Sequence, residues 1–144
     1  MILYTDTSAL IKRYIGESGS SDVVAWIREA DLIGVSIITR AEAGATFSRL
    51  HRSGIIDTTT AELLLKEFRL HWPSYMRLRI NENLVATAES LAWQYGLRGY
   101  DAVHLASAVI WQESLGETVI LATYDRQLWG AAALVGLEVL PHQL

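Results

Sequence analysis

The stretch TVILAT, residues 118 to 123, indicates the fold of this chain more directly than any other segment. It is a short apolar run bounded by polar residues, which is typical of a strand that is buried on both faces. Such strands belong to parallel sheets, and parallel strands are connected by helices. Asp125 stands two residues after the run. The segment therefore predicts an α/β fold with a carboxylate just beyond the end of a central strand.

Four other segments have the pattern of strands, and helical patterns separate all five. The predicted strands are residues 1–6, 32–38, 75–80, 118–123 and 136–140. The predicted helices are residues 8–14, 20–29, 40–52, 59–71, 82–95 and 101–115, with one more after Asp125. Alternating side chains with one wetter face make 75–80 a predicted edge strand. The alternation of strands and helices predicts a three-layer α/β/α sandwich around a parallel sheet, with ligand sites beyond the carboxyl ends of the strands.

Composition narrows the classes of protein to be considered. The chain has 144 residues, 51% of them hydrophobic, so residues 1–144 are predicted to form one domain with one core. Cysteine is absent, which excludes disulfides, thiolate zinc sites and a cysteine nucleophile, and suits a cytoplasmic protein. No window approaches the roughly 18 apolar residues of a membrane span, so we expect no membrane partner. The net charge of -4 argues against general electrostatic binding of nucleic acid, and such a ligand would need cations at the site itself.

Four acidic residues stand where strands give way to helices or where helices begin. Asp6 follows the first predicted strand and Asp125 the fourth, while Glu42 and Asp101 lie at the starts of helices. In a parallel sheet these transitions share one edge, so we expect the four side chains to meet in one pocket. Gathered carboxylates raise one another's pKa values, and a divalent cation removes that cost. The cluster lacks the cysteines or paired histidines of zinc sites, so the favoured ion is Mg²⁺ or Mn²⁺.

Helix capping is the alternative explanation for each acid taken singly. Aspartate is a preferred N-cap, and the helix dipole stabilises acidic side chains in a first turn. Thr39 and Glu42 have the spacing of a capping box, which needs no further role for Glu42. Thr59 and Glu62 have the same spacing at the start of another predicted helix. The capping and the pocket explanations both remain open on the sequence alone.

The acidic residues also belong to motifs that resemble those of a known family. The chain has DTSAL at residues 6–10, Glu42, GYDAVHLA at residues 99–106 and TYD at residues 123–125. In order and spacing, these motifs resemble those of PIN-domain nucleases, and in particular the VapC-type toxins of type II toxin-antitoxin pairs. The resemblance extends over essentially the whole chain.

The resemblance implies a fold, an activity and partners. The implied fold is an α/β/α sandwich with a central five-stranded parallel sheet. The implied activity is endoribonuclease cleavage of RNA that depends on Mg²⁺ or Mn²⁺, and the implied partners are a second copy of the chain and a cognate antitoxin. The family's four acidic positions are matched by Asp6, Glu42, Asp101 and Asp125, which are thereby the expected catalytic and metal-binding residues. Two supporting hydroxyl positions are matched by Ser8 and Thr123.

Residues near these motifs are candidates for contact with the substrate. The preferred candidates are Arg13, Arg40 and His104, and the further ones are Lys12, Arg49, Arg52 and Arg98. Some family members have a further carboxylate where this chain has His104, and both a substrate contact and a partly buried structural imidazole are open for it. Core or dimer packing is favoured over base stacking for the five tryptophans, Trp26, Trp72, Trp93, Trp111 and Trp129.

The expected reaction is hydrolysis of an RNA phosphodiester by in-line attack of water. Asp6 and Asp101 are expected to hold the principal ion, while Glu42 and Asp125 complete the outer shell, orient water or bind a second ion. The alternatives are a stand-alone RNA-processing nuclease and a catalytically degenerate PIN-like binding module. An aspartyl-phosphate phosphatase is disfavoured because it would need an acid where Ser8 stands. No glycine-rich turn for a dinucleotide follows the first strand.

Overall fold

A parallel sheet of five strands forms the centre of the molecule in the computed structural model, which describes residues 1–144. The strands are β1 (Ile2–Thr5), β2 (Leu32–Ser36), β3 (Met76–Leu78), β4 (Val119–Ala122) and β5 (Glu138–Leu140). The helices are α1 (Thr7–Leu10), α2 (Ser20–Glu29), α3 (Thr39–Arg52), α4 (Thr58–His71), α5 (Glu82–Tyr95), α6 (Gly99–Leu115) and α7 (Arg126–Leu134). Short 3₁₀ turns, Ile11–Arg13 and Trp72–Ser74, extend α1 and α4. None of the helices combines the length and the apolarity that a membrane span requires.

The order of the strands places the ends of β1 and β4 at the centre of the sheet. The order is β3-β2-β1-β4-β5, and all four pairings are parallel. The chain moves outward from β1 to β3, returns to the centre at β4 and then moves outward on the other side. The strand order therefore reverses between β1 and β4. Parallel α/β sheets bind their ligands in the crevice beyond the strand ends at such a point.

Alternate side chains of the strands pack against two different layers of helices. Tyr4 and Leu121 lie in a cluster with α5, α6 and α7 on one face. Leu3 packs on the opposite face with α1 and α2, and Val35 packs there against side chains of α3 and α4. Because successive residues of a strand point to opposite faces, a run such as Ile2–Thr5 can fill both cores. The predicted three-layer α/β/α sandwich with a five-stranded parallel sheet is confirmed.

The predicted element boundaries differ from the structure at several strand and helix ends, and each of the five strands is shorter than its predicted segment. The helix predicted at residues 8–14 is a four-residue α-helix, Thr7–Leu10, followed by the 3₁₀ turn Ile11–Arg13, and α6 begins at Gly99 rather than at Asp101. The capping box predicted at Thr59 is wrong, because the helix begins one residue earlier and the carboxylate of Asp57 accepts a hydrogen bond from the Thr60 amide at 2.7 Å. Aspartate is among the best N-caps, so Asp57 starts the helix before Thr59 can. The predicted edge position of β3 is confirmed.

Gly34 in β2 allows the sheet to approach α6 closely. A Cβ atom at this position would lie 2.3 Å from Cζ3 of Trp111, a ring that is buried in the core. We expect Gly34→Ala to lower the free energy of unfolding by about 1–3 kcal/mol, because the indole has to shift in a filled core. Urea unfolding followed by circular dichroism measures this effect.

Gly44 supplies the matched control for Gly34. It lies within α3, and a Cβ atom there would meet nothing within 4 Å. Gly44→Ala is expected to raise the free energy of unfolding by roughly 0.5–1 kcal/mol, since glycine is a poor residue in a helix interior. Equal effects of the two substitutions would contradict the close approach of Gly34 to Trp111.

Candidate active site

The four predicted acids line one open pocket of about 580 Å³ at the carboxyl ends of the strands. Asp6 directly follows β1, and Asp125 follows the neighbouring strand β4 after two residues. Glu42 reaches the pocket from the first turn of α3, and Asp101 reaches it from the first turn of α6. The pocket therefore lies beyond the carboxyl ends of the strands, as the alternation of strands and helices predicts, and the structure places it at the point where the strand order reverses.

Asp6 is held in one orientation by three donors from two parts of the chain. Its Oδ1 accepts a hydrogen bond from the Ala9 amide at 2.9 Å, and the Ser8 hydroxyl lies 2.8 Å from both carboxylate oxygens. The Thr123 hydroxyl donates to Oδ2 at 2.8 Å. Thr123 also accepts a hydrogen bond from the Asp125 amide, so it connects the first acid with the last. Asp6 is only 3% exposed, and this burial raises the pKa of its carboxyl group, against the influence of His104 and of these donors.

Glu42 is bound to a buried chain of polar groups that begins at Tyr4. His104 Nε2 lies 2.7 Å from Glu42 Oε1, and the Tyr4 hydroxyl lies 2.9 Å from His104 Nδ1. Burial raises the pKa of Tyr4 well above its usual value, so its hydroxyl keeps its proton. Because an ionised carboxylate only accepts hydrogen bonds, we assign Nε2–H as the donor to Glu42 and the Tyr4 hydroxyl as the donor to Nδ1.

The contacts of Glu42 leave one of its oxygens available. Thr7 also donates to Oε1, at 2.8 Å, whereas Oε2 accepts no hydrogen bond. Partial burial opposes ionisation, but the hydrogen bonds from His104 and Thr7, together with the electrostatic influence of His104, outweigh it and hold the pKa of Glu42 below its usual value. Glu42 is thus an ionised carboxylate with one free oxygen at the wall of the pocket.

Arg98 connects the other two acids. Its Nε donates to Asp101 Oδ2 at 2.8 Å, and its terminal nitrogen donates to Asp125 Oδ2 at 3.0 Å. The arginine side chain is 74% exposed, whereas the side chains of Asp101 and Asp125 are 14% and 23% exposed. The guanidinium group therefore lies on the outer side of the two carboxylates.

Capping and pocket roles coincide at two of the four acids. Asp6 is the N-cap of α1 and Asp125 the N-cap of α7, where its Oδ1 accepts from the Leu128 amide. Asp101 caps nothing, because Arg98 occupies the N-cap position of α6. The capping box predicted for Thr39 and Glu42 is wrong. Ile38 is the N-cap, and Glu42 turns instead toward its donors in the pocket.

The basic residues that line the pocket come from the further candidates of the sequence analysis and not from the preferred arginines. Lys12, Arg49 and Arg98 line it, whereas Arg13 and Arg40 do not. Arg13 donates instead to the Tyr75 hydroxyl at 2.8 Å. Arg40 is exposed on α3 two residues before Glu42, and positions two apart point to different sides of a helix. Neither residue lines the pocket of the four acids, and their contact with substrate stays a prediction.

His104 is placed as a structural partner of Glu42. Its side chain is 2% exposed, and Glu42 and Tyr4 occupy both of its ring nitrogens. Of the two interpretations left open by the sequence, the geometry agrees with the buried imidazole. The contribution of Tyr4 was missed by the sequence analysis, because a tyrosine inside an apolar strand carries no local signal of a polar partner 100 residues away.

The tryptophans do not surround the acids. Trp72 and Trp111 are buried in the two larger core clusters. Trp26 stacks on Tyr124 at 6.3 Å between ring centroids, and Trp129 donates its ring N–H to the Pro141 carbonyl. Trp93 is 92% exposed on α5. Packing accounts for four of the five, in agreement with the predicted preference over base stacking.

The donor chemistry of the pocket fits a hard divalent cation. Four carboxylates line the pocket and the chain has no cysteine. Carboxylate oxygens are the donors that Mg²⁺ and Mn²⁺ prefer. No three acidic or histidine side chains are arranged to hold a metal ion in their present positions. Arg98 and the hydroxyl groups of Ser8 and Thr123 bind carboxylate oxygens that an ion would otherwise use.

Comparison with known proteins agrees with this architecture. A protein named Ribonuclease VapC45, from Mycobacterium tuberculosis, is 33% identical over 148 aligned positions, which cover 99% of this chain and 97% of that protein. The crystal structure of FitAcB from Neisseria gonorrhoeae is similar with a TM-score of 0.69 and 21% identity over 96% of each chain. A chain of a toxin-antitoxin complex from Klebsiella pneumoniae has a TM-score of 0.57 and 18% identity, over 83% of this chain and 84% of that one.

The family follows from both the site and the sequence match. The matched region, residues 3–133, contains all four acids of the pocket as well as Ser8 and Thr123. With its parallel five-stranded sheet and its acids at the reversal of strand order, the chain belongs to the PIN domain family.

Proposed function

We propose that this chain is a divalent-metal-dependent endoribonuclease and the toxin of a toxin-antitoxin pair. The observation that carries the proposal is the meeting of Asp6, Glu42, Asp101 and Asp125 in one pocket of a PIN-family chain. A full-length relative at 33% identity is named a ribonuclease, which supports RNA as the substrate. The structural similarity to a chain of a toxin-antitoxin complex supports an antitoxin as the partner.

The residues of the pocket divide into those that would hold the ion and those that position other groups. Asp6 and Asp101 would hold the principal Mg²⁺ or Mn²⁺, with Asp125 beside them. When bound, the ion would act as a Lewis acid that stabilises charge developing on the phosphate. Ser8 and Thr123 keep the Asp6 carboxylate in one orientation.

The chain itself supplies a candidate for orienting the attacking water. Oε2 of Glu42 is free, and the group is ionised because His104 holds its pKa low. Such an oxygen can accept a hydrogen bond from a water molecule and thereby direct a lone pair of the water oxygen toward phosphorus. Lys12 and Arg49 line the same pocket and can pair with phosphates of the RNA backbone, which the net charge of -4 would otherwise repel.

Cleavage of a mixed RNA pool, with Mg²⁺, Mn²⁺ or EDTA present, tests the proposal. We expect cleavage with either ion and none in EDTA. Since water attacks rather than the ribose 2′-hydroxyl, the products should carry 5′-phosphate and 3′-hydroxyl ends. Labelling of the ends before and after phosphatase treatment distinguishes these products.

Two results would contradict the proposal in different ways. Products ending in 2′,3′-cyclic phosphate would show attack by the ribose and exclude the hydrolytic mechanism. Inactivity of the folded, antitoxin-free protein with both ions would favour the degenerate binding module instead.

We further propose that the chain forms a homodimer in the cytoplasm. The dimer is supported by the resemblance to VapC-type toxins, and the exposed Trp93 on α5 is an apolar side chain available for such a contact. The absence of cysteine is compatible with a reducing compartment. Sedimentation analysis of wild type and Trp93→Ser tests the dimer and this contact together.

A further inference from the structure

Arg98 differs from the other cations of the pocket in what it contacts. Lys12 is held by Glu17 at 3.0 Å and by the Ser18 carbonyl at 2.8 Å. Arg49 forms no ion pair, although it lines the same pocket. Arg98 alone among them is bonded to members of the acidic cluster. Its contacts therefore act on the site itself and not on the surrounding surface.

One guanidinium group bridges two carboxylates that come from different elements. Asp101 lies in α6 and Asp125 follows β4, and the Oδ2 atom of each accepts a hydrogen bond from a different nitrogen of Arg98. The planar fork of arginine suits this double contact, and both bonds are charge-assisted. The bridge offsets the repulsion between two carboxylates that are brought together at the end of the sheet.

We propose that Arg98 is an internal counter-cation of this site, which holds Asp101 and Asp125 until a divalent ion displaces it from them. The inference rests on the proposed function, because it assigns a role to Arg98 in the binding of the same ion. A guanidinium group and a divalent ion compete for the same oxygens, and their charges repel each other. Arg98 consequently weakens metal binding and sets the ion concentration at which the site fills.

The position of Arg98 permits such an exchange without disturbing the core. The backbone of Arg98 starts α6, where its carbonyl accepts a hydrogen bond from the Ala102 amide. The side chain beyond it is 74% exposed, so the guanidinium group can rotate into solvent while the helix start stays in place. Asp101 and Asp125 are less exposed and remain at the pocket wall.

The affinity for Mn²⁺, measured by isothermal titration of the full chain with MnCl₂, tests the exchange independently of activity. We expect Arg98→Gln to lower the Kd by about tenfold, since two exposed ion pairs no longer compete with the ion. Arg98→Lys is expected to give an intermediate value, because an ammonium group cannot bridge two carboxylates with a planar fork.

Arg49→Gln is the matched control, and Asp6→Asn reports on the metal site itself. Arg49→Gln removes the same charge from the same pocket without touching a carboxylate, and its Kd should change by less than about threefold because solvent and salt screen the charge. Asp6→Asn should bind Mn²⁺ more weakly than wild type.

The possible outcomes separate this inference from the proposed function. The counter-cation role alone is overturned if wild type binds Mn²⁺ and Arg98→Gln binds it with the same Kd. It is also overturned if Arg49→Gln lowers the Kd as much as Arg98→Gln does. Binding that is detectable in Arg98→Gln but not in wild type supports it. Absence of binding in every variant overturns the metal dependence of the proposed function, and the exchange with it.

Discussion

Asp6→Asn is expected to lower the rate of RNA cleavage by at least roughly a hundredfold. Mutation of a residue that only supports a metal ligand already lowers metal affinity or activity by about tenfold to a hundredfold, and Asp6 is itself an expected ligand. The substitution keeps the size of the side chain and its ability to cap α1 through the Ala9 amide. Burial raises the pKa of Asp6, so a neutral amide is not expected to destabilise the fold. Single-turnover cleavage with Mn²⁺ measures the rate, and melting in EDTA checks the fold.

Asp57→Asn is the control for this substitution. Asp57 is an N-cap of the same kind, with extended backbone angles and a side chain that accepts from the amide three residues later. It lies outside the pocket. Cleavage at the wild-type rate is therefore expected. Comparable rate losses in Asp6→Asn and Asp57→Asn would assign the effect to capping rather than to the chemistry of the pocket.

His104→Leu should have the largest effect on stability among the variants of the site. It leaves the buried Tyr4 hydroxyl without its acceptor and removes one of the two hydrogen-bond donors of Glu42, the other being Thr7. The expected loss is about 2–3 kcal/mol, which corresponds to a melting temperature lower by roughly 5–10 °C. The cleavage rate should fall as well, because Oε1 of Glu42 loses one of the two contacts that orient the carboxylate.

Tyr4→Phe distinguishes a loss of hydrogen bonding from a loss of packing. It removes only the hydroxyl group and should cost about 1 kcal/mol. The double variant Tyr4→Phe, His104→Leu should be more stable than the sum of the two losses predicts, because both partners of the buried bond are then gone. Strict additivity in urea unfolding would show that the two residues do not act as one chain of polar groups.

The acids that face the pocket were predictable from local patterns because of where they stand along the chain. A carboxylate after a buried strand, as at Asp6 and Asp125, is carried to the carboxyl edge of a parallel sheet whatever the strand order is. The family was indicated by the motifs DTSAL, GYDAVHLA and TYD together with Glu42. The capping box at Thr39 was predicted wrongly because Glu42 stands three residues after Thr39, which is the capping-box spacing, whether or not its side chain faces the pocket. Only the hydrogen-bond partners of Glu42 in the structure distinguish the two roles.

The amino-acid sequence by itself therefore determined the α/β class, the parallel sheet and the acids that meet at its edge. These features follow from periodicities of two and 3.6 residues, which are properties of neighbouring positions. Only the tertiary structure decided that His104 turns inward to Tyr4 and that Arg98 bridges Asp101 to Asp125. Arg98 and Asp125 are 27 residues apart, and Tyr4 and His104 are 100 apart. Such pairs form because the strand order β3-β2-β1-β4-β5 brings distant segments together, and that order leaves no periodic trace in the chain.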